Sequence, residues 1–163
     1  MTLSSGLISI KSDDRVKMNE KEITLLGNAA AKWPSSPEDA TIETFPNRSP
    51  AQEYWVLFDF PEFCSLCPVT GQPDTARIRI QYIPSEKCIE TKSLKFYLSS
   101  FRNHPSFNED IVNKILSDLS GVVSPKAMKV RGDFSPRGGI SLTAQAVYPE
   151  GGDNTPMLVE SEN

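Results

Sequence analysis

The run Arg77-Ile78-Arg79-Ile80-Gln81-Tyr82-Ile83 decides the fold, because it alternates polar and apolar residues without a break. A period of two puts Ile78, Ile80 and Tyr82 on one face of a strand and Arg77, Arg79 and Gln81 on the other. The same period precedes it in Glu53 to Phe60, with Tyr54, Val56, Phe58 and Phe60 on one side, and returns in Ala127 to Phe134 and Ile140 to Tyr148. Between these strands the apolar residues recur at helical spacing twice. Leu94, Tyr97, Leu98 and Phe101 form one set; Val112, Ile115, Leu116 and Leu119 form the other, behind a Ser106-x-x-Glu109 start that has the form of a capping box. Ser135-Pro136-Arg137-Gly138-Gly139 is expected to be the hairpin loop between the last two strands. The order strand, strand, helix, helix, strand, strand predicts an α+β domain: an antiparallel four-stranded sheet with both helices on one face.

Outside that core the chain changes character. Residues 1–50 read as an N-terminal arm, partly irregular: Asp13 to Lys21 is charged, a short helical or turn segment is expected in Ile23 to Trp33, and Pro34, Pro37, Pro46 and Pro50 interrupt the chain beyond it. Residues 51–150 are the folded domain, and 151–163 are expected to be a flexible C-terminal tail. Only about 100 residues then build the core, which favours burying the uncovered sheet by self-association.

The net charge of −4 argues against direct nucleic-acid binding, since phosphate contacts need a basic face. No apolar run approaches membrane-spanning length, and the three cysteines do not make a disulfide framework, so a reducing, cytoplasmic setting is expected.

The segment joining the first two strands carries the chemistry: Phe63-Cys64-Ser65-Leu66-Cys67-Pro68-Val69-Thr70-Gly71-Gln72-Pro73-Asp74. A thiol attacks an electrophilic carbon as its thiolate, and the atom receiving the displaced electrons needs a proton from a nearby acid. Two prolines and a glycine are expected to hold Cys67 and Asp74 on one short irregular loop, which brings both side chains to one mouth. Without further information Asp74 reads equally well as a turn residue after Pro73. Cys64 and Cys67 form a C-x-x-C, but Pro68, Gly71 and Pro73 break any following helix, so a thioredoxin-like dithiol is the weaker reading.

That segment, with Glu90-Thr91-Lys92-Ser93-Leu94-Lys95-Phe96-Tyr97 and Phe101-Arg102-Asn103-His104, resembles the short, single-domain form of the 7-cyano-7-deazaguanine reductases. The resemblance runs from about Glu53 to Tyr148. It implies the tunnelling fold, in which the sheets of several subunits join into a closed barrel, so that the partners are a 7-deazapurine substrate and further copies of the chain. A ferredoxin-like or other two-layer sandwich fits the bare pattern equally well. It also implies NADPH-dependent reduction of a nitrile to a primary amine, on the route to the queuosine base of transfer RNA. By resemblance Cys67 is the nucleophile that makes a thioimidate and Asp74 the proton donor. Ile89, Glu90, Thr91, Asn108 and Glu109 are then the substrate-binding residues, and Lys92, Ser93, Lys95, Arg137 and Gly138 bind the cofactor.

Each assignment has a plainer counterpart. Glu109 is also the reciprocal member of the Ser106 capping box, Glu90 also a cap for the helix of Leu94, and the lysines also a solvated helix face. A G-x-G-x-x-G after a strand is absent, which removes a Rossmann site. His104 is the lone histidine, too few for the zinc sites of pterin synthases of the related fold, so no metal is expected. Asn108 stands where the family has histidine, and asparagine does not carry a proton at neutral pH. That departure keeps open a catalytically silent purine- or pterin-binding protein of the same fold. Cys64–Cys67 or Cys67–Cys88 pairing on oxidation would block the nucleophile.

Overall fold

The alternating run lies inside an eleven-residue strand, β3 (Pro73–Ile83), that is paired on both sides. In this computed structural model, which describes residues 32–155 and Met157, β2 (Val56–Leu66) and β5 (Ala127–Arg137) flank β3, and β6 (Ile140–Tyr148) lies beside β5. All three pairings are antiparallel, giving the sheet order β2-β3-β5-β6. The expected arrangement is therefore present: four antiparallel strands, with α1 (Thr91–Ser100) and α2 (Asn108–Val123) inserted between β3 and β5. A single 3-10 turn, Phe101–Asn103, extends α1 and packs on β2, while α2 packs on β5 and β6. Among the described residues no helix is long and apolar enough to cross a membrane.

The core forms where the period-two and helical faces meet. Ile78, Ile80, Met128 and Val130 from the sheet and Ile111, Val112, Ile115 and Leu119 from α2 are all fully buried. Gly132 of β5 faces α2 closely enough that a Cβ there would lie 2.8 Å from the Phe134 ring and 3.0 Å from Val112. The absence of a side chain is what lets α2 settle onto the strand.

The opposite sheet face carries charge in pairs. Arg77 donates through Nε to Asp59 at 2.8 Å, Arg79 to Asp133 at 2.8 Å, and Arg131 also to Asp133. Lys129, 8% exposed, meets Asp153 at 2.8 Å and the carbonyl of Thr155 at 3.1 Å. Residues 151–155, expected to be a flexible tail, thus lie across this face. Gln145 holds Thr155 and Asn154, and Met157 is buried. The reason is local: a nearly buried lysine needs a partner, and the acidic tail supplies it.

Three features depart from the expected layout. Residues 32–50 are not loosely organised throughout: β1 (Thr44–Pro46) pairs with β4 (Lys87–Ile89) in a separate two-stranded ribbon. Its three-residue strands are too short to show a period. The ribbon is locked to α1 by the Glu43 N–H donating to Ser93 Oγ at 2.9 Å, and Trp33 rests on Phe96 at 4.7 Å between ring centroids. The expected charged stretch Asp13 to Lys21, and all but the end of Ile23 to Trp33, lie outside the described residues. Second, β5 runs through Ser135 and Pro136 to Arg137, so the loop is only Gly138 and Gly139, both at positive φ, the tight turn that suits strand twist. Third, α2 begins without a capping box. Phe107 is its N-cap residue, and the Ser106 hydroxyl donates to the Phe107 carbonyl instead.

Stability should respond to change at two places. Gly132→Ala overpacks the α2–β5 contact and is expected to cost about 1–3 kcal/mol, read as a lower urea midpoint at unchanged slope. On the charged face, the hydrogen bond from Arg77 lowers the Asp59 carboxyl below 3.8, and for Asp133 burial pushes the other way but the Arg131 and Thr143 bonds prevail. Folded-state values below the unfolded ones mean stability that is present above the ordinary carboxylate range and lost as pH falls through and below it. Denaturation midpoints in 0.5 M salt against low salt are expected to differ at neutral pH and to converge in acid, at roughly pH 2.

Candidate active site

The site begins with two β-bulges, one in β2 against β3 and one in β5 against β6. In β2 the pairing jumps from Phe60↔Ile78 to Phe63↔Ala76, so Pro61 and Glu62 together oppose Arg77. One extra residue reverses the parity of a strand. Val56, Phe58 and Phe60 face the core before it; Phe63 and Ser65 do so after it, both essentially fully buried. In β5 the pairing jumps from Phe134↔Leu142 to Arg137↔Ile140, so Ser135 and Pro136 together oppose Ser141. That second bulge re-aims Arg137 toward the start of β3.

Between β2 and β3 the loop is shorter than the sequence suggested. Phe63–Leu66 is strand, and Pro73 and Asp74 open β3, where a proline at the first position costs no ladder bond. The expected single irregular segment therefore reduces to 67–72. Its ends are tied by the Cys67 N–H donating to the Gln72 carbonyl at 2.8 Å, and the Gly71 N–H donates to the Cys67 carbonyl at 2.9 Å. Gly71 has φ +68°, open to glycine without strain.

This turn shapes the nucleophile. The Cys67 thiol pKa is brought down from 9.0 to about 7 by hydrogen bonding from the Thr70 hydroxyl first, then from the backbone N–H groups of Thr70 and Val69. Burial works against the shift and the charge of Arg137 works with it. Thr70 carried no signal in the sequence beyond its place three residues after the cysteine. Asp74 is nearly buried, and its Oδ1 meets Arg137 Nε at 2.6 Å. Arg137 Nη2 also donates to the carbonyls of Pro73 at 2.8 Å and Gln72 at 3.2 Å. Cys67, Asp74 and Arg137 thus meet from three places in the sequence, the turn, the start of β3 and the end of β5.

The start of α1 holds the second group. Glu90 caps the helix: its carboxylate accepts from the Lys92 N–H at 2.9 Å and the Ser93 N–H at 2.7 Å, and the residue is buried. Of its expected substrate neighbours, Ile89 sits in the core with its N–H donating to the Tyr82 hydroxyl, while Thr91 is exposed. Ser93, expected at the cofactor, is fully buried; its hydroxyl donates to the Glu90 carbonyl and accepts from Glu43. Lys92 and Lys95 lie one turn apart, with their ammonium groups 5.8 Å from the Phe96 and Trp33 ring centroids respectively. Gly138, exposed at the hairpin tip, is next to Arg137.

The start of α2 holds the third. It is drawn to the mouth by the Leu66 N–H donating to the His104 carbonyl and the Ser106 N–H donating to the Leu66 carbonyl. Glu109 is exposed in the first turn of α2 and is not used in a capping box. Asn108 Oδ1 and Ser65 Oγ are buried polar atoms without a hydrogen-bond partner among the described residues. Buried orphans of this kind mark a place where a bound group or water belongs. Sequence reading had no means of finding Ser65. The three cysteines are free thiols, and Cys88 is buried with its Sγ 3.7 Å from the Tyr54 hydroxyl. Cys64 lies within β2 and a hairpin, not a helix, comes after Cys67, which removes the dithiol reading.

Known proteins share both the sequence and the fold around this site. The family profile described as QueF-like protein matches residues 73–152. A Porphyromonas gingivalis protein named NADPH-dependent 7-cyano-7-deazaguanine reductase is 46% identical over 145 residues, covering 89% of this chain and 94% of its own. Proteins of the same name from Bacteroides fragilis and Neisseria meningitidis are 51% and 50% identical over 130 residues, covering 79% and 80% of this chain and 85% and 83% of their own. The crystal structure of the archaeosine synthase QueF-Like in the apo form superposes with a TM-score of 0.54 at 22% identity, over 57% of this chain and 91% of that one. At that identity the likeness speaks for the fold.

The hydrogen bonds to Cys67 make a direct expectation. Alkylation of the native protein by iodoacetamide should rise with pH around a midpoint near 7, and Thr70→Val should move that midpoint up, toward the 9.0 of an unassisted thiol.

Proposed function

The chain belongs to the NADPH-dependent 7-cyano-7-deazaguanine reductases, and from that premise we propose how its residues divide the work of reducing the nitrile to an aminomethyl group, a step toward the queuosine base of transfer RNA. Cys67 attacks the nitrile carbon: the C–S bond forms, one C–N π bond opens, and the nitrogen takes a proton to give a thioimidate. Asp74 delivers that proton. NADPH supplies hydride when bound. The observation that carries this reading is a thiol held near pKa 7 on a turn tied, through Arg137, to a nearly buried carboxylate.

Recognition of the deazapurine falls first to Glu109, whose exposed carboxylate is suited to accept the ring N–H and exocyclic amine together. The unpartnered Asn108 Oδ1 beside it is a further acceptor. Glu90 keeps one lone pair on each oxygen after capping α1, so any contact from it to substrate comes without loss of the cap. For the cofactor, Lys92 and Lys95 fit the phosphate groups as two ammonium ions one helical turn apart. Ser93 supports them from below by fixing the start of α1 and does not itself face a ligand. Gly138 leaves the hairpin tip open to close backbone approach.

The same reading includes assembly. β2 and β6 are the outer strands of the four-stranded sheet, and Leu57 on β2 is 60% exposed, with Trp55 just before the strand 50% exposed. Edges of that length need cover. A ring of sheets closing into the barrel of the tunnelling fold would supply it, with sites completed between subunits.

The test is NADPH absorbance with 7-cyano-7-deazaguanine. Wild type should oxidise two NADPH per nitrile; binding without oxidation would instead favour the silent binder. Cys67→Ala should abolish adduct and turnover. Asp74→Asn should lose on the order of 10²–10⁴-fold in rate while its thiol still reacts with iodoacetamide. A stable, active monomer in sedimentation would remove the ring.

A further inference from the structure

Arg137 is expected from family resemblance to hold a cofactor phosphate, yet its guanidinium is spent on its own protein. Nε lies 2.6 Å from Asp74 Oδ1 in an ion pair, and Nη2 donates to the Pro73 carbonyl at 2.8 Å and the Gln72 carbonyl at 3.2 Å. Those acceptors are not a random set. Gln72 O also receives the Cys67 N–H at 2.8 Å, so Arg137 and Cys67 share an acceptor and the arginine braces the turn whose geometry sets the thiol. Asp74 is the acid of the proposed mechanism. One rigid, planar fork therefore ties together the two groups that must act in the same step. A lysine, with a single point of charge, has no such geometry.

We infer that Arg137 is a positioning residue for the addition step: it fixes the Cys67 turn and Asp74 relative to each other and leaves Asp74 Oδ2 to move the proton. This rests on the nucleophile and acid assigned above. Oδ1 is engaged by Nε, while Oδ2 has no hydrogen bond among the described residues. In a thiol at its neutral midpoint the S–H proton passes to Oδ2 and on to the nitrile nitrogen. The S–H bond breaks, C–S and N–H bonds form, and Asp74 returns to its starting state without any added oxidant or reductant. The charge of Arg137 favours the thiolate side of that transfer, in keeping with its part in lowering the Cys67 pKa.

The position of Arg137 has its own cause. Without the Ser135–Pro136 bulge the last residues of β5 would continue in register beside β6, and residue 137 would have the opposite parity. Thr75 Oγ1 donates to Ser135 Oγ at 2.8 Å across the strands and pins the bulge to β3 one residue from Asp74. Two of the five guanidinium N–H groups, those of Nη1, remain without a partner among the described residues, and Arg137 is partly exposed. A cofactor phosphate touching that edge is compatible with the positioning role and is not required by it.

The experiment compares Arg137→Gln and Arg137→Lys with wild type in two assays that need no NADPH: the pH profile of iodoacetamide alkylation, and the rate of absorbance change as the thioimidate forms with 7-cyano-7-deazaguanine. Arg137→Gln should slow adduct formation by about 10²-fold, the scale of a small misplacement of reacting groups, and shift the alkylation midpoint upward. Arg137→Lys should keep the midpoint near that of wild type, because the charge remains, and still slow adduct formation, because the fork is gone. The two variants therefore separate charge from geometry, and either one that folds gives an answer. Wild-type adduct rates in both, with only the NADPH KM raised, would overturn the inference and leave Arg137 a phosphate contact. Adduct formed by Cys67→Ala would instead overturn the nucleophile assignment itself, and this role with it.

Discussion

Everything about the site depends on β3 being paired on both sides while β2 carries one residue too many against β3 and β5 carries one too many against β6. A strand held by ladders on both edges has little freedom, so the excess residue of β2 is absorbed by β2 itself, while that of β5 is absorbed opposite β6. Each bulge contains a proline, which gives up no ladder hydrogen bond when it is pushed out of register. The β2 bulge turns Ser65 inward and delivers Cys67 at the strand end. The β5 bulge delivers Arg137 beside Asp74. Two local mismatches, β2 against β3 and β5 against β6, thus bring the Cys67 turn and Arg137 to the start of β3.

The thiol is tuned rather than strongly activated. A pKa about 7 leaves comparable amounts of thiol and thiolate near neutrality. Lowering it further would increase the thiolate fraction but weaken each thiolate as a nucleophile. Hydrogen bonds from one turn, with burial opposing them, reach this compromise without a second cationic residue in contact. The arginine contributes from a distance because it is ion-paired with Asp74 and its hydrogen bonds go to the Gln72 and Pro73 carbonyls.

The two helix starts use their polar groups in opposite ways. At α1 the carboxylate of Glu90 is used by the helix itself, and a buried serine welds that start to the β1–β4 ribbon. At α2 there is no side-chain cap, which leaves Glu109 exposed and Asn108 Oδ1 unsatisfied. A cap omitted costs about 1 kcal/mol, a cost that binding a complementary ligand would offset. Functional sites are where such local rules are most readily broken.

The sequence by itself determined the four strands, the two helices and their order, because long segments repeat their burial pattern many times over. It also put Cys67 and Asp74 within one run of constrained residues, where family resemblance proposes them as nucleophile and acid. Only the tertiary structure decided what short or conditional features do. The β1–β4 ribbon is too brief for periodicity, and a bulge looks like a phase error until its partner strand is known. Ser106 and Glu109 have the spacing of a capping box, but the Leu66 carbonyl takes the Ser106 N–H and moves the helix start by one residue. Ser65, Thr70 and the true partners of Arg137 were illegible for the same reason. Thr70 and Arg137 act through contacts with a thiol and with carbonyls, Ser65 stands out by a buried hydroxyl with no partner among the described residues, and composition encodes neither.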